Sequence, residues 1–166
     1  MANKTNRRNS SYLKYPYIVC DLNKLRDNLA ALKERCQIYN VAIAGVIKGF
    51  NGITEIAKVY EDYVEYLASS RLEQLRQIKE DGLETPLMAI RISMPDEVED
   101  LVDLCQLSLQ SDPSVIKLIN EAAKSQGKIH KIVLMADLGD LREGFWNKDH
   151  LYEEAEKIEN EYKNLY

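Results

Sequence analysis

Hydrophobic and polar positions alternate between two periods along this chain. The run YPYIVCDL (15–22) is rich in β-branched residues, with Pro16 tolerated at its start, and predicts a strand. Behind it, Leu25, Leu29, Leu32 and Cys36 recur at helical spacing, and Asp21 or Asn23 can cap that helix. The run Val41 to Ile47 is small or apolar without a break and ends in Lys48, which predicts a strand over 41–48. A helix opening at Thr54, with Glu55 in its first turn, follows. The pattern then repeats. Strands are predicted over 64–70, 85–92, 106–111 and 128–139. Between them lie a helix with Leu72, Leu75 and Ile78 on one face, one opened by Pro95, and one capped by Asp112 and stopped at Gly127. A charged helix is predicted from Asn147 to the end.

Short strands alternating with helices are the signature of repeated βαβ units around a parallel sheet. Two architectures compete, an open doubly wound sheet and a (β/α) barrel. The open sheet usually carries a glycine-rich turn after its first strand, whereas here DLNKLRDN follows. Chemistry at strand ends suits the barrel, whose active sites gather on the C-terminal rim.

Composition narrows the class. At 166 residues the chain is about one domain, and 45% hydrophobic with 30% charged residues is ordinary for a soluble globular protein. With 22 basic against 27 acidic side chains, a nucleic-acid surface is not expected. No apolar run approaches the roughly 18 residues of a membrane span, and residues 1–14 read as a polar, disordered tail before a single unit over 15–166. Three scattered cysteines and two histidines offer neither a disulfide framework nor a metal-ligand spacing, which fits a reducing cytoplasm.

Rim candidates are Lys48, Ser69-Ser70-Arg71, Arg91, Ser111 and the cluster DLGDLREG (137–144). An amine closing a buried strand is suited to Schiff-base chemistry if it is partly desolvated. The competing reading is a lysine that simply reaches water along its stem. Arg91 reads equally as an ion-pair partner, and Asp137, Asp140, Arg142 and Glu143 as a loop network of paired charges.

The segments PYIVCDLNKLRDNLAAL, VAIAGVIKGFNG, LASSRLEQL, MAIRISM and IHKIVLMADLGDLREGFW, in that order, resemble the alanine racemase N-terminal-domain superfamily. These are pyridoxal-phosphate enzymes of fold type III, and the octapeptide DLGDLREG is nearest to their ornithine-racemase branch. The resemblance spans roughly residues 15 to 165. It implies a parallel TIM-type (β/α) barrel in which 16–22 precedes the barrel, and 41–48, 64–68, 86–91, 106–109 and 131–137 are five of its eight strands. It implies Lys48 as the residue that carries pyridoxal 5'-phosphate as a Schiff base, and Arg142 as the arginine that faces the phenolic oxygen of the cofactor. Arg91 matches a recurrent arginine of the ornithine-racemase branch, and is expected near the cofactor.

Two departures follow from the same likeness. Alanine racemase itself continues its lysine with A-N-A-Y-G, whereas this chain has K-G-F-N-G and lacks the tyrosine that helps bind phosphate. A complete barrel takes about 250 residues. The phosphate loops and the second catalytic base are therefore expected beyond residue 166. The implied function is an amino-acid racemase of the ornithine or alanine type acting on a small amino acid, inactive as this portion alone. Its partner would be a second copy or the C-terminal part. A non-catalytic pyridoxal-phosphate carrier of the same fold, and a cofactor-free aldolase using Lys48, are the alternative readings.

Overall fold

The computed structural model describes residues 16–166. Five strands form one parallel sheet in the order β1 to β5: Ala44–Val46, Tyr66–Ser69, Leu87–Ala89, Leu107–Gln110 and Lys131–Leu134. A helix follows each strand, and one precedes β1. The six are α1 (Leu22–Ile38), α2 (Thr54–Tyr60), α3 (Leu72–Glu80), α4 (Val98–Leu104), α5 (Pro113–Ser125) and α6 (Lys148–Asn160). This is an incomplete TIM-type barrel, and each of the five expected barrel strands is present, β2 and β4 running one residue past the expected 64–68 and 106–109. The register is continuous: Gly45 pairs with Leu67, Leu67 with Leu87, Ala89 with Ser108, and Ser108 with Ile132.

Alternation along the strands assigns their faces. Gly45 and Ile47, then Leu67, Leu87, Ala89 and Ser108, point to the helices, where they are buried with Leu75, Ile78, Leu101, Ile116 and Ile119. A side chain at Gly45 would come within 2.5 Å of the Tyr60 ring, so α2 can lie on β1 only because that position has none. The opposite face is only partly covered: Ala68 is buried there, but Val46 and Val133 are 42% and 45% exposed. The apolar run 41–47 is thus buried on one face only.

Local chemistry sets the helix ends. Asp21 caps α1, its Oδ1 accepting from the Asn23 and Lys24 amides. Asp112 caps α5, taking the Ser114 amide at 2.8 Å and its hydroxyl at 2.6 Å. The hydroxyl bond holds the carboxyl below the usual range. Pro95 opens a short 3₁₀ turn, Pro95–Glu97, that leads into α4.

The helix expected from Leu25, Leu29, Leu32 and Cys36 is present, and its stripe is partly buried: Leu29 is buried, Leu25 and Cys36 are half-buried, and Leu32 is 46% exposed. Two expectations are corrected. Residues 17–21 form no strand; Ile18 and Val19 are 98% and 78% exposed, and no strand among the described residues lies beside them to share hydrogen bonds. The final helix stops at Asn160 rather than running to the end. Beyond it, the His130 amide donates to Asn164 O, Tyr166 N to His130 O, and Ile132 N to Tyr166 O, so Leu165 lies parallel beside β5. The stretch expected as a tail, 1–14, lies outside the described residues. The three cysteines are free.

His130 behaves as a structural residue. It is 2% exposed, and its Nε2 lies 2.9 Å from the Ser108 hydroxyl. Burial holds its pKa down at about 4, with a hydrogen bond to the Cys105 backbone offsetting part of the effect.

Candidate active site

The C-terminal ends of β1, β3 and β5 carry the three expected residues. Each is held by a different local device.

Ile47 ends the extended run at φ −92°, ψ −11°, and Lys48 starts a 3₁₀ turn, Lys48–Phe50. Asn51 closes that turn in the left-handed region at φ 56°, its amide donating to Lys48 O at 3.1 Å. Gly52, also left-handed, donates to Ile47 O at 3.0 Å. Lys48 is therefore fixed through its backbone on both sides. Its side chain is exposed, and among the described residues its ammonium has no hydrogen-bond or carboxylate partner. The partial desolvation expected for it is not met.

Arg91, two residues beyond β3, is engaged on all sides. Its Nε donates to Ser70 O at 2.5 Å, its Nη1 to Ile92 O at 3.2 Å, and its Nη2 to both carboxylate oxygens of Glu97 at 2.6 and 2.7 Å. Glu97 also accepts from the Met94 amide, which closes the turn before α4. The ion-pair reading of Arg91 is the one its contacts match.

Arg142 sits in a closed loop after β5. The Asp137 amide donates to Phe145 O at 3.0 Å, and Phe145 N to Met135 O at 2.7 Å, which ties the loop at its base. Buried Phe145 anchors that knot in the core. Inside, Asp137 Oδ1 accepts from Gly139 N at 2.7 Å and Leu141 N at 3.3 Å. The Gly144 amide donates to Ser111 Oγ, joining the loop to the end of β4. The network is one of carboxylate and backbone, not of paired charges. Arg142 is exposed, free of any carboxylate among the described residues, and lines a cleft of about 540 Å³ with Ser111, Asp112 and Asp137.

A larger cleft, about 750 Å³, opens between the β1 and β3 ends and is lined by Asn51, Gly52, Ser70, Arg71, Gln74 and Arg91, among others. Gln74 was not among the rim candidates. It stands three residues into α3, and helical side chains lean back toward the N-terminus, here toward the rim. That lean is the signal in the sequence that could have found it.

The family model described as alanine racemase, N-terminal domain, matches residues 20–165. The chain belongs to the alanine racemase N-terminal-domain family. Within the family's reach, an ornithine racemase of Acetoanaerobium sticklandii is 39% identical over 145 residues, covering 87% of this chain and 40% of that protein. A lysine racemase of Thermotoga maritima is 30% identical over 133 residues, covering 80% of this chain and 38% of its own length. The chain thus spans about 40% of the curated relatives it matches. The alanine racemase of Clostridium difficile 630 superposes with TM-score 0.74 at 24% identity, covering 87% of this chain and 38% of that one. PipY of Synechococcus elongatus PCC7942, solved with PLP bound, superposes with TM-score 0.70 at 14% identity, covering 85% of this chain and 66% of PipY. These likenesses to members of the alanine racemase N-terminal-domain family and their neighbours carry the fold.

Proposed function

We propose that this chain is the cofactor-bearing part of a pyridoxal-phosphate-dependent amino-acid racemase, with Lys48 as the anchoring amine. The observation that carries the reading is the placement of Lys48, an amine with no carboxylate partner among the described residues, at the C-terminal end of β1. The donor set fits the group. A primary amine free of ion pairs suits an aldehyde carbon, and the Arg142 guanidinium, equally free, suits an oxygen that holds negative charge. Arg91 is the weaker ligand, because its donors are already spent on Glu97, Ser70 O and Ile92 O. It braces the rim on which a ligand would rest.

Pyridoxal phosphate, where bound, supplies the electron sink that makes loss of an α-proton feasible. The chain's own work is narrower. Lys48 Nζ acts as the base that takes or returns the proton on one face of the substrate α-carbon. Arg142 orients by donating N–H groups from a loop tied at Phe145. Inversion needs a second base on the other face. No rim residue of this chain is assigned to that role.

The substrate we propose is a small amino acid, with ornithine favoured over alanine. The 39% identical relative is an ornithine racemase, and the turn after Lys48 reads Gly-Phe-Asn-Gly without a tyrosine. Association with a second copy, or with the remainder of a full-length enzyme, is part of the same reading. Among the described residues β1 is a sheet edge, which invites pairing. A second reading, a non-catalytic pyridoxal-phosphate carrier, is favoured by the likeness to PLP-bound PipY, of which this chain covers 66%.

Borohydride reduction in the presence of pyridoxal phosphate, followed by peptide mapping, tests the anchor. Label on the peptide containing Lys48 is expected. Label confined to other lysines overturns the assignment. Racemisation by the full-length protein separates the enzyme from the carrier.

A further inference from the structure

Gln74 bridges two loops of the rim. Its Oε1 accepts from Ser69 Oγ at 2.7 Å, and its Nε2 donates to Asn51 Oδ1 at 3.0 Å. Ser69 closes β2, is fully buried, and accepts from the Arg71 amide at 3.1 Å, so its own proton is directed to Gln74. That fixes which end of the Gln74 amide faces Asn51. The stem of Gln74 lies against Gly52, where an added Cβ would come within 3.1 Å of Gln74 Cβ and 3.3 Å of its Cγ.

The loop so held is the one that carries Lys48. Asn51 and Gly52 are consecutive left-handed residues, a conformation that glycine adopts freely and asparagine tolerates better than other side chains. Their amides close on Lys48 O and Ile47 O, and Ile47 N is bonded to Ala68 O of β2. Among the described residues the Lys48 side chain has no partner of its own, so the backbone turn sets where its stem leaves the rim. Water could satisfy the exposed Asn51 amide as well as Gln74 does. The relay therefore adds position rather than hydrogen-bond count.

We infer that Gln74 is a positioning residue for the Lys48 amine: the Ser69–Gln74–Asn51 relay locks the turn from which Lys48 departs. The inference rests on the reading of Lys48 as the anchoring amine, and it adds a residue that acts through the backbone of another.

The test uses the 166-residue chain and follows the rate of reductive labelling by pyridoxal phosphate and cyanoborohydride at each lysine. Exposed Lys58 and Lys117 serve as internal standards. Gln74→Met keeps the length of the side chain and removes both bonds. It is expected to slow labelling at Lys48 about fivefold to tenfold while the two standards keep their rates. Gln74→Glu restores the rate, because its carboxylate accepts from Ser69 and from an Asn51 amide turned end for end. Unchanged labelling of Lys48 in Gln74→Met overturns the inference.

A wild-type chain that takes no label at Lys48 sinks the anchoring role instead. Amide exchange at Gly52 N–H then decides the relay by itself. Gln74→Met speeds that exchange if the relay locks the turn, and leaves it unchanged if it does not.

Discussion

Arg91 Nη2 sits 2.6 Å from Glu97 Oε1 and 2.7 Å from Oε2, joining the end of β3 to the turn that opens α4. Both side chains are less than a third exposed, so water screens the pair only in part. Glu97→Gln leaves the guanidinium half-buried without its counter-charge. A loss of about 1–2 kcal/mol in urea unfolding is expected. Because Arg91 is already committed to this pair, pyridoxal-phosphate labelling at Lys48 should persist in that variant.

Acid should weaken the fold through His130. Its pKa is about 4 when folded and near 6.5 when unfolded, so the unfolded chain binds the extra proton between those values. Stability is therefore full above pH 6.5, falls as pH drops from 6.5 to 4, and changes no further through this group below that. The change is on the order of 3 kcal/mol. His130→Gln, which keeps a polar group opposite Ser108, should flatten urea midpoints across that window. A slope that persists unaltered would show that another group titrates there. Asp112, whose carboxyl is held below the usual range, acts only at more acidic pH.

Gly144 has φ 119°, and a Cβ there would lie 2.6 Å from the Asp137 amide nitrogen and 2.8 Å from Ala136 C. Backbone cannot step aside as a flexible side chain can. Gly144→Ala is expected to cost about 2 kcal/mol or more and to loosen the knot at Phe145 that presents Arg142. Thermal unfolding gives the first number. Limited proteolysis within 137–144 reports the second.

The 166-residue chain alone should racemise nothing measurable. It spans about 40% of its racemase relatives, and the face of the sheet bearing Val46 and Val133 is open to water. Chiral chromatography of ornithine, alanine and lysine after prolonged incubation with pyridoxal phosphate checks this. Turnover of any of the three would contradict it.

The strands were readable because each is a short apolar run followed by a helix, and after β4 the Asp112–Pro113 pair writes the boundary into two residues. Residues 17–21 misled because β-branched residues announce a preference for extended backbone, not the presence of a neighbour to pair with. The last helix was overrun because EYKNLY continues a helical composition, whereas Leu165 gains a place beside His130 that composition does not reveal. At the rim, Lys48 and Arg142 stood out by position and by likeness to relatives. Gln74 did not, since its two bonds join loops 23 and 5 residues away, a relation that only the folded chain brings about.

Leu165 beside His130 gives the sheet an order of construction. One flank is seeded and the other, along β1, carries no strand among the described residues, so a further strand in any longer polypeptide built on this unit adds at β5 first. Meeting β1 requires contact between residues far apart in sequence, and such contacts are the slow ones in folding. Ring closure, rather than formation of the five-strand sector, then becomes the kinetic bottleneck at which chaperones and aggregation compete for the nascent polypeptide.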